Sequence, residues 1–172
     1  MPEYDRAFGV RLADTATLVA EEGLDAIDAQ RTVLYLSLLS MEISLKSLLE
    51  HAGEPVKVIR SRSHRLADLL ADLGRYEVEV ETAPGSRQYV SATRLRARVI
   101  RHNGCQATVG QVIDAESQGA SKYPNNVRYG DVLKHYPAPV VTAAAKEVAG
   151  FLEEHWGKIR LQEDAGHFIG SR

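Results

Sequence analysis

The stretch Thr32-Val-Leu-Tyr-Leu-Ser-Leu-Leu-Ser-Met-Glu-Ile-Ser-Leu-Lys-Ser-Leu-Leu-Glu-His-Ala-Gly53 is apolar on nearly every face of a helix. Such a helix is covered on several sides by neighbours or crosses a membrane. A span needs about 20 apolar residues, and Glu42 and Lys46 interrupt this one, so the spacing predicts a central core helix, from about Asp25 to His51, stopped by Gly53 and Pro55. A core helix requires partners, and the flanking sequence supplies them. From Tyr4 to Glu22, Phe8, Leu12, Thr15 and Val19 recur every three or four positions, an amphipathic helix ended at Gly23. After the basic connector VKVIRSRS, Leu66, Leu69, Leu70 and Leu73 form one stripe of a short helix from His64 to Leu73, with Ser63 placed as its N-cap. A last helix runs from Pro139 to Ile159 and buries Val141, Ala145, Val148, Leu152 and Trp156. The fold class expected is all-α, an up-and-down helical bundle over residues 1–160, with 161–172 as a C-terminal tail.

The segment 76–104 admits two readings. Tyr76 to Glu81 alternates apolar and acidic residues, and Arg94 to Val99 alternates arginine and apolar residues. As strands they make a hairpin with Glu77, Glu79 and Glu81 opposite Arg94, Arg96 and Arg98. Alternatively, Ser91 caps a helix through His102 that ends at Gly104. A short helix from Val109 to Glu116 follows, before the loop GASKYPNNVRYG.

The chain has 172 residues, 44% hydrophobic and 26% charged, within the range of an ordinary globular domain. Its formal net charge of −2 makes it no general attractant for polyanions or anionic membranes. The lone Cys105 excludes an intramolecular disulfide, and a reducing, cytoplasmic setting is expected. Charge placement is less even than charge total: Thr82 to Ile113 holds five arginines and no acidic residue, and Val56 to Arg65 adds Lys57, Arg60, Arg62 and Arg65. Gathered at one end of a bundle, these stretches would make a field suited to phosphates. In the loop, Lys122, Tyr123, Asn125, Asn126, Arg128 and Tyr129 crowd donors and aromatic faces together.

Four elements in order give a resemblance. Glu42, Lys46 and Leu49 stand in a Glu-x-x-x-Lys-x-x-Leu pattern, His64-Arg65-Leu66 opens the next helix, Tyr123-Pro124 precedes the final one, and TAAAKEVAGFLEEHW closes the set. Together they resemble the HEPN (higher eukaryotes and prokaryotes nucleotide-binding) superfamily of helical bundles over residues 6–158. The resemblance implies a homodimer, with RNA or nucleotide as ligand and, in prokaryotic defence systems, a cognate antitoxin or nucleotidyltransferase as partner. Many such proteins are metal-independent ribonucleases with an Arg-x(4–6)-His pair, the arginine stabilising phosphate charge and the histidine activating a ribose hydroxyl.

Arg96 and His102 are the best-placed match, and Arg128/His135 and Arg160/His167 also fit the spacing. Ala97 follows Arg96 where the family carries a polar residue, so a decayed site is expected: a non-catalytic bundle that binds RNA, nucleotide or a partner protein. Arg98, Arg101, Asn103, Lys122, Tyr123, Asn126, Arg128 and Tyr129 are its candidate binding residues. The alternatives are an active ribonuclease and a structural adaptor. No Gly-rich phosphate loop, nucleophile elbow or zinc-ligand spacing occurs in the chain, so neither cofactor nor metal is expected.

Overall fold

The structure, a computed structural model, describes residues 2–120 and 135–162. In chain order it runs α1 (Arg6–Glu22), α2 (Ile27–His51), α3 (Val56–Ser61), α4 (Leu66–Asp72), β1 (Tyr76–Ala83), β2 (Ser86–Ser91), β3 (Val99–His102), β4 (Cys105–Thr108), α5 (Val109–Ala120), α6 (Ala138–His155) and β5 (Ile159–Leu161). Single 3₁₀ segments, Leu73–Arg75 and Ala92–Ala97, lead into β1 and β3. The protein is mostly helical but not all-α, because two small antiparallel sheets, β2-β1-β5 and β3-β4, are built from the middle of the chain and the strand after α6.

The centre is α2 packed between α1 and α6. Asp5 caps α1 by accepting from the backbone N–H groups of Ala7 (2.8 Å) and Phe8 (3.3 Å). Its buried face is Gly9, Leu12, Ala13 and Ala16; of the expected stripe Leu12 is buried and Val19 packs against the core, while Phe8 and Thr15 face outward. The reason is close approach. A Cβ on Gly9 would lie 2.7 Å from the Ser44 Oγ, and the Ser40 hydroxyl donates to the Gly9 carbonyl at 2.7 Å. Small residues therefore set the α1–α2 distance, and Phe8 and Leu18 are left exposed. Across α2, Ser37 bonds the Thr142 hydroxyl at 3.2 Å. Thr142 itself donates to the Ala138 carbonyl at 3.0 Å, so Ser37 is the donor in that pair.

Among the described residues α2 is the one helix long and apolar enough to cross a membrane, yet most of it is buried inside this bundle. Pro137 and Pro139 open α6, which buries Val140, Val141, Ala144, Ala145, Val148, Phe151 and Leu152. Beyond it, Trp156 stacks on His51 at 3.9 Å, and the Gly157 N–H donates to the His51 Nε2 at 3.2 Å, joining the ends of α2 and α6.

Of the two readings of 76–104, the hairpin holds in kind and in its first strand but not in its partner, and the helix from Ser91 to His102 is corrected. β1 pairs with the nearer β2, in a register that sets Glu77, Glu79 and Glu81 opposite Ser91, Tyr89 and Arg87. Two consecutive turns decide this. Pro84-Gly85, with Gly85 at φ +77°, reverses the chain between β1 and β2. Asn103 and Gly104, at φ +46° and +80°, form a two-residue turn that folds β3 onto β4. Between them Ser91 does cap, accepting from the Thr93 N–H, but the 3₁₀ turn it opens stops at Ala97. Arg94, Arg96 and Arg98 thus lie across a 3₁₀ turn and its exit, not in a strand facing β1.

Three further expectations change. VKVIRSRS is not a connector throughout, since Val56–Ser61 is the short helix α3. Ser63 is not an N-cap; it takes φ +51°, and α4 begins after Arg65, leaving His64 outside the helix. α6 ends at His155, and β5 reaches Leu161, the first residue of the expected tail. α5 opens with a reciprocal cap: the Thr108 hydroxyl accepts from Gln111 N–H at 3.2 Å and the Gln111 side chain accepts from Thr108 N–H at 2.9 Å.

Candidate nucleic-acid interface

The Asn103-Gly104 turn sets Arg101, His102 and Asn103 at the tip of the β3–β4 hairpin. His102 lines a groove of about 410 Å³ between α1 and α6, shared with Thr17, Glu21, Thr142, Lys146 and Glu147. Lys146 bridges the two helices through Asp14 at 2.6 Å. Arg101 and Asn103 are exposed, and the Arg101 Nε makes a long contact, 3.5 Å, with the Gln106 side chain.

Of the neighbouring arginines, Arg87, Arg96 and Arg98 are paired, whereas Arg94 makes no ion pair among the described residues. Arg96 binds Asp114 of α5, and its stem packs on Gly110, where an added Cβ would meet the Arg96 Cβ at 3.1 Å. Arg98 lies along α6 between Glu147 (3.3 Å) and Glu154, its guanidinium 5.0 Å from the centre of the Phe151 ring. Arg87 pairs with Glu79 at 3.1 Å, and Arg160, not an arginine of the 94–98 stretch, pairs with Glu77 at 2.6 Å. The second basic stretch is likewise matched, with Arg60 on Glu3, Arg62 forked onto Asp72 at 2.8 and 2.9 Å, and Arg65 on Asp68. The field expected from pooled arginines is therefore largely cancelled at short range. Arg96 and His102 have separate neighbours, one on α5 and one in the α1–α6 groove. Lys122, Tyr123, Asn126, Arg128 and Tyr129 lie outside the described residues.

Two motif residues that the sequence sets 22 positions apart do meet. Glu42, buried in α2, takes the Lys46 ammonium on one oxygen at 2.7 Å and the His64 Nδ1 on the other at 2.9 Å. Lys46 also lies 5.3 Å from the Tyr4 ring centre. Burial, with Glu3 beside it, pushes the Tyr4 phenol up to about 12. The i, i+4 spacing predicts the Glu42–Lys46 pair; His64 reaches it because the left-handed turn at Ser63 delays the start of α4.

Two buried titratable groups are not among the expected site residues, although helical spacing sets them on apolar stripes, Glu116 with Val109, Val112 and Ile113, and His155 with Val148, Phe151 and Leu152. His155 follows two glutamates yet is 1% exposed, and among the described residues neither ring nitrogen has a hydrogen-bond partner. Burial holds its pKa below the ordinary histidine value. Glu116, at the centre of α5, is fully buried, and the His135 Nδ1 stands 3.8 Å from its carboxylate. Burial raises its pKa, only partly countered by His135. Among the described residues no group of three or more His, Cys, Asp or Glu side chains gathers as metal ligands would. No family model, curated protein or solved structure matches this chain.

Proposed function

We propose that this chain is a non-catalytic, HEPN-like helical domain that binds single-stranded RNA at the β3–β4 tip and the mouth of the α1–α6 groove. The observation that carries this reading is the separation of the arginine–histidine pair: the Arg96 guanidinium is engaged by Asp114, while His102 lines a groove on the α1–α6 side. A phosphate approaching His102 in the groove meets Lys146, whose pair with Asp14 is exposed, rather than Arg96. Arg101 is the exposed cation of the tip, and its 3.5 Å contact to Gln106 is weak enough to exchange for a phosphate oxygen. The Glu42–Lys46–His64 contact supports the resemblance, because it gives its two best-defined motifs one physical role, fastening α4 to the central helix.

Incubation with single-stranded RNA in EDTA, beside a His102→Ala variant, tests this. Intact RNA in both samples, with binding weakened in Arg101→Ala and little changed in Arg96→Ala, is the expected result. Cleavage that persists in chelator and disappears in His102→Ala would establish the ribonuclease instead. Neither cleavage nor binding would leave the adaptor.

A further inference from the structure

We infer that the cleft between the β1–β2 hairpin and the C-terminal end of α6 binds a small sugar phosphate, gripped by Arg94 and Lys158. The cleft encloses about 470 Å³, a volume suited to a small metabolite. Two of its three carboxylates are already in ion pairs. Glu79 holds Arg87, Glu154 holds Arg98, and Glu81 accepts from the Gly85 N–H at 3.0 Å. Its two cations are not: among the described residues, neither the Arg94 guanidinium nor the Lys158 ammonium, both on exposed residues, makes an ion pair. A guanidinium fork and an ammonium facing one cleft are the pairing that a phosphate group accepts best.

A second observation comes from the same wall. His155 is part of the lining, its side chain is buried, and neither ring nitrogen has a hydrogen-bond partner. A neutral imidazole carries one N–H donor, so the wall holds an orphan donor of the kind that proteins rarely leave unmet. The Glu154 carboxylate stands 3.5 Å from Nε2, and a phosphate oxygen taking its place would satisfy that donor. The hairpin side offers the Thr82 hydroxyl and the Gln88 amide to sugar hydroxyls, and Val80 and Val90 to a carbon face. No Phe, Tyr or Trp is among the described residues of this cleft and the His155 ring is buried in its wall, so a nucleobase finds no exposed aromatic face. The site uses neither Arg101 nor the α1–α6 groove, and it stands or falls separately from RNA binding.

Calorimetric titration of the full chain with ribose 5-phosphate, ribose and AMP tests the assignment. Ribose 5-phosphate is expected to bind, ribose to give no heat, and Arg94→Ala or Lys158→Ala to weaken binding by roughly tenfold or more. Arg101→Ala should bind it as the parent does. The His155 ring resonances should shift on saturation. Failure of ribose 5-phosphate to bind, equal affinity in the Arg94 and Lys158 variants, unmoved His155 resonances, or tighter binding of AMP would each overturn the assignment.

Discussion

At the scale of single residues, Glu116 is the most exposed to test because its cost has a sign. Its folded-state pKa lies above the ordinary carboxylate value of 4.5. Between those two values the folded chain keeps a proton that the unfolded chain has released, so this group's contribution to stability falls as pH rises through that window. At neutral pH the native carboxylate carries the penalty of burial and a glutamine does not. Glu116→Gln should therefore melt higher than the parent at pH 7, and the gap should shrink toward zero below pH 4.5, as thermal denaturation followed by circular dichroism will show. Helical spacing does mark this residue and His155: Glu116 stands seven after Val109 and four after Val112, and His155 seven after Val148 and four after Phe151. Their residue types point the other way, because Glu and His read as solvent-facing unless the stripe is followed through them.

Elements meet through polar contacts as much as apolar ones. Lys46 and Glu42 are nearly shielded from water, with side chains 9% and 6% exposed, so removing one partner leaves a charge with too little solvation. Lys46→Met should cost about 3–5 kcal/mol in urea unfolding, whereas Glu42→Leu combined with Lys46→Met should cost less than Lys46→Met alone. Gly9 makes the corresponding case for sterics. In an open helix Gly→Ala is stabilising by roughly 1 kcal/mol, but here the methyl group meets the Ser44 hydroxyl at 2.7 Å and its backbone nitrogen at 3.2 Å. Gly9→Ala should instead destabilise by about 1–3 kcal/mol, and adding Ser44→Ala should restore part of the loss. The four larger helices were legible because their stripes repeat at helical spacing and end at Gly23, Gly53 and the prolines around 137. The strands were harder. Alternation is visible in β1, but the run at 94–99 alternates as well and competes as its partner, and only the Pro84-Gly85 and Asn103-Gly104 turns fix the nearer pairings.

For the whole molecule, what distinguishes it is how charge is distributed after folding. A segment with five arginines and no acidic residue looks strongly basic in one dimension. In three dimensions α5, α6 and β1 bring Asp114, Glu147, Glu154 and Glu79 to Arg96, Arg98 and Arg87. Of the five arginines, Arg101 at the hairpin tip and Arg94 in the cleft at the C-terminal end of α6 make no ion pair among the described residues. RNA contact at the tip therefore involves few phosphates. The most direct check is the salt dependence of single-stranded RNA binding, followed by fluorescence anisotropy in EDTA for the parent and Arg101→Ala. The account predicts uncut RNA and a shallow dependence of log K on log salt, which flattens in the variant by about 0.7, the loss of one phosphate contact. An identical slope and affinity in Arg101→Ala, or RNA shortened by the parent chain, would contradict it.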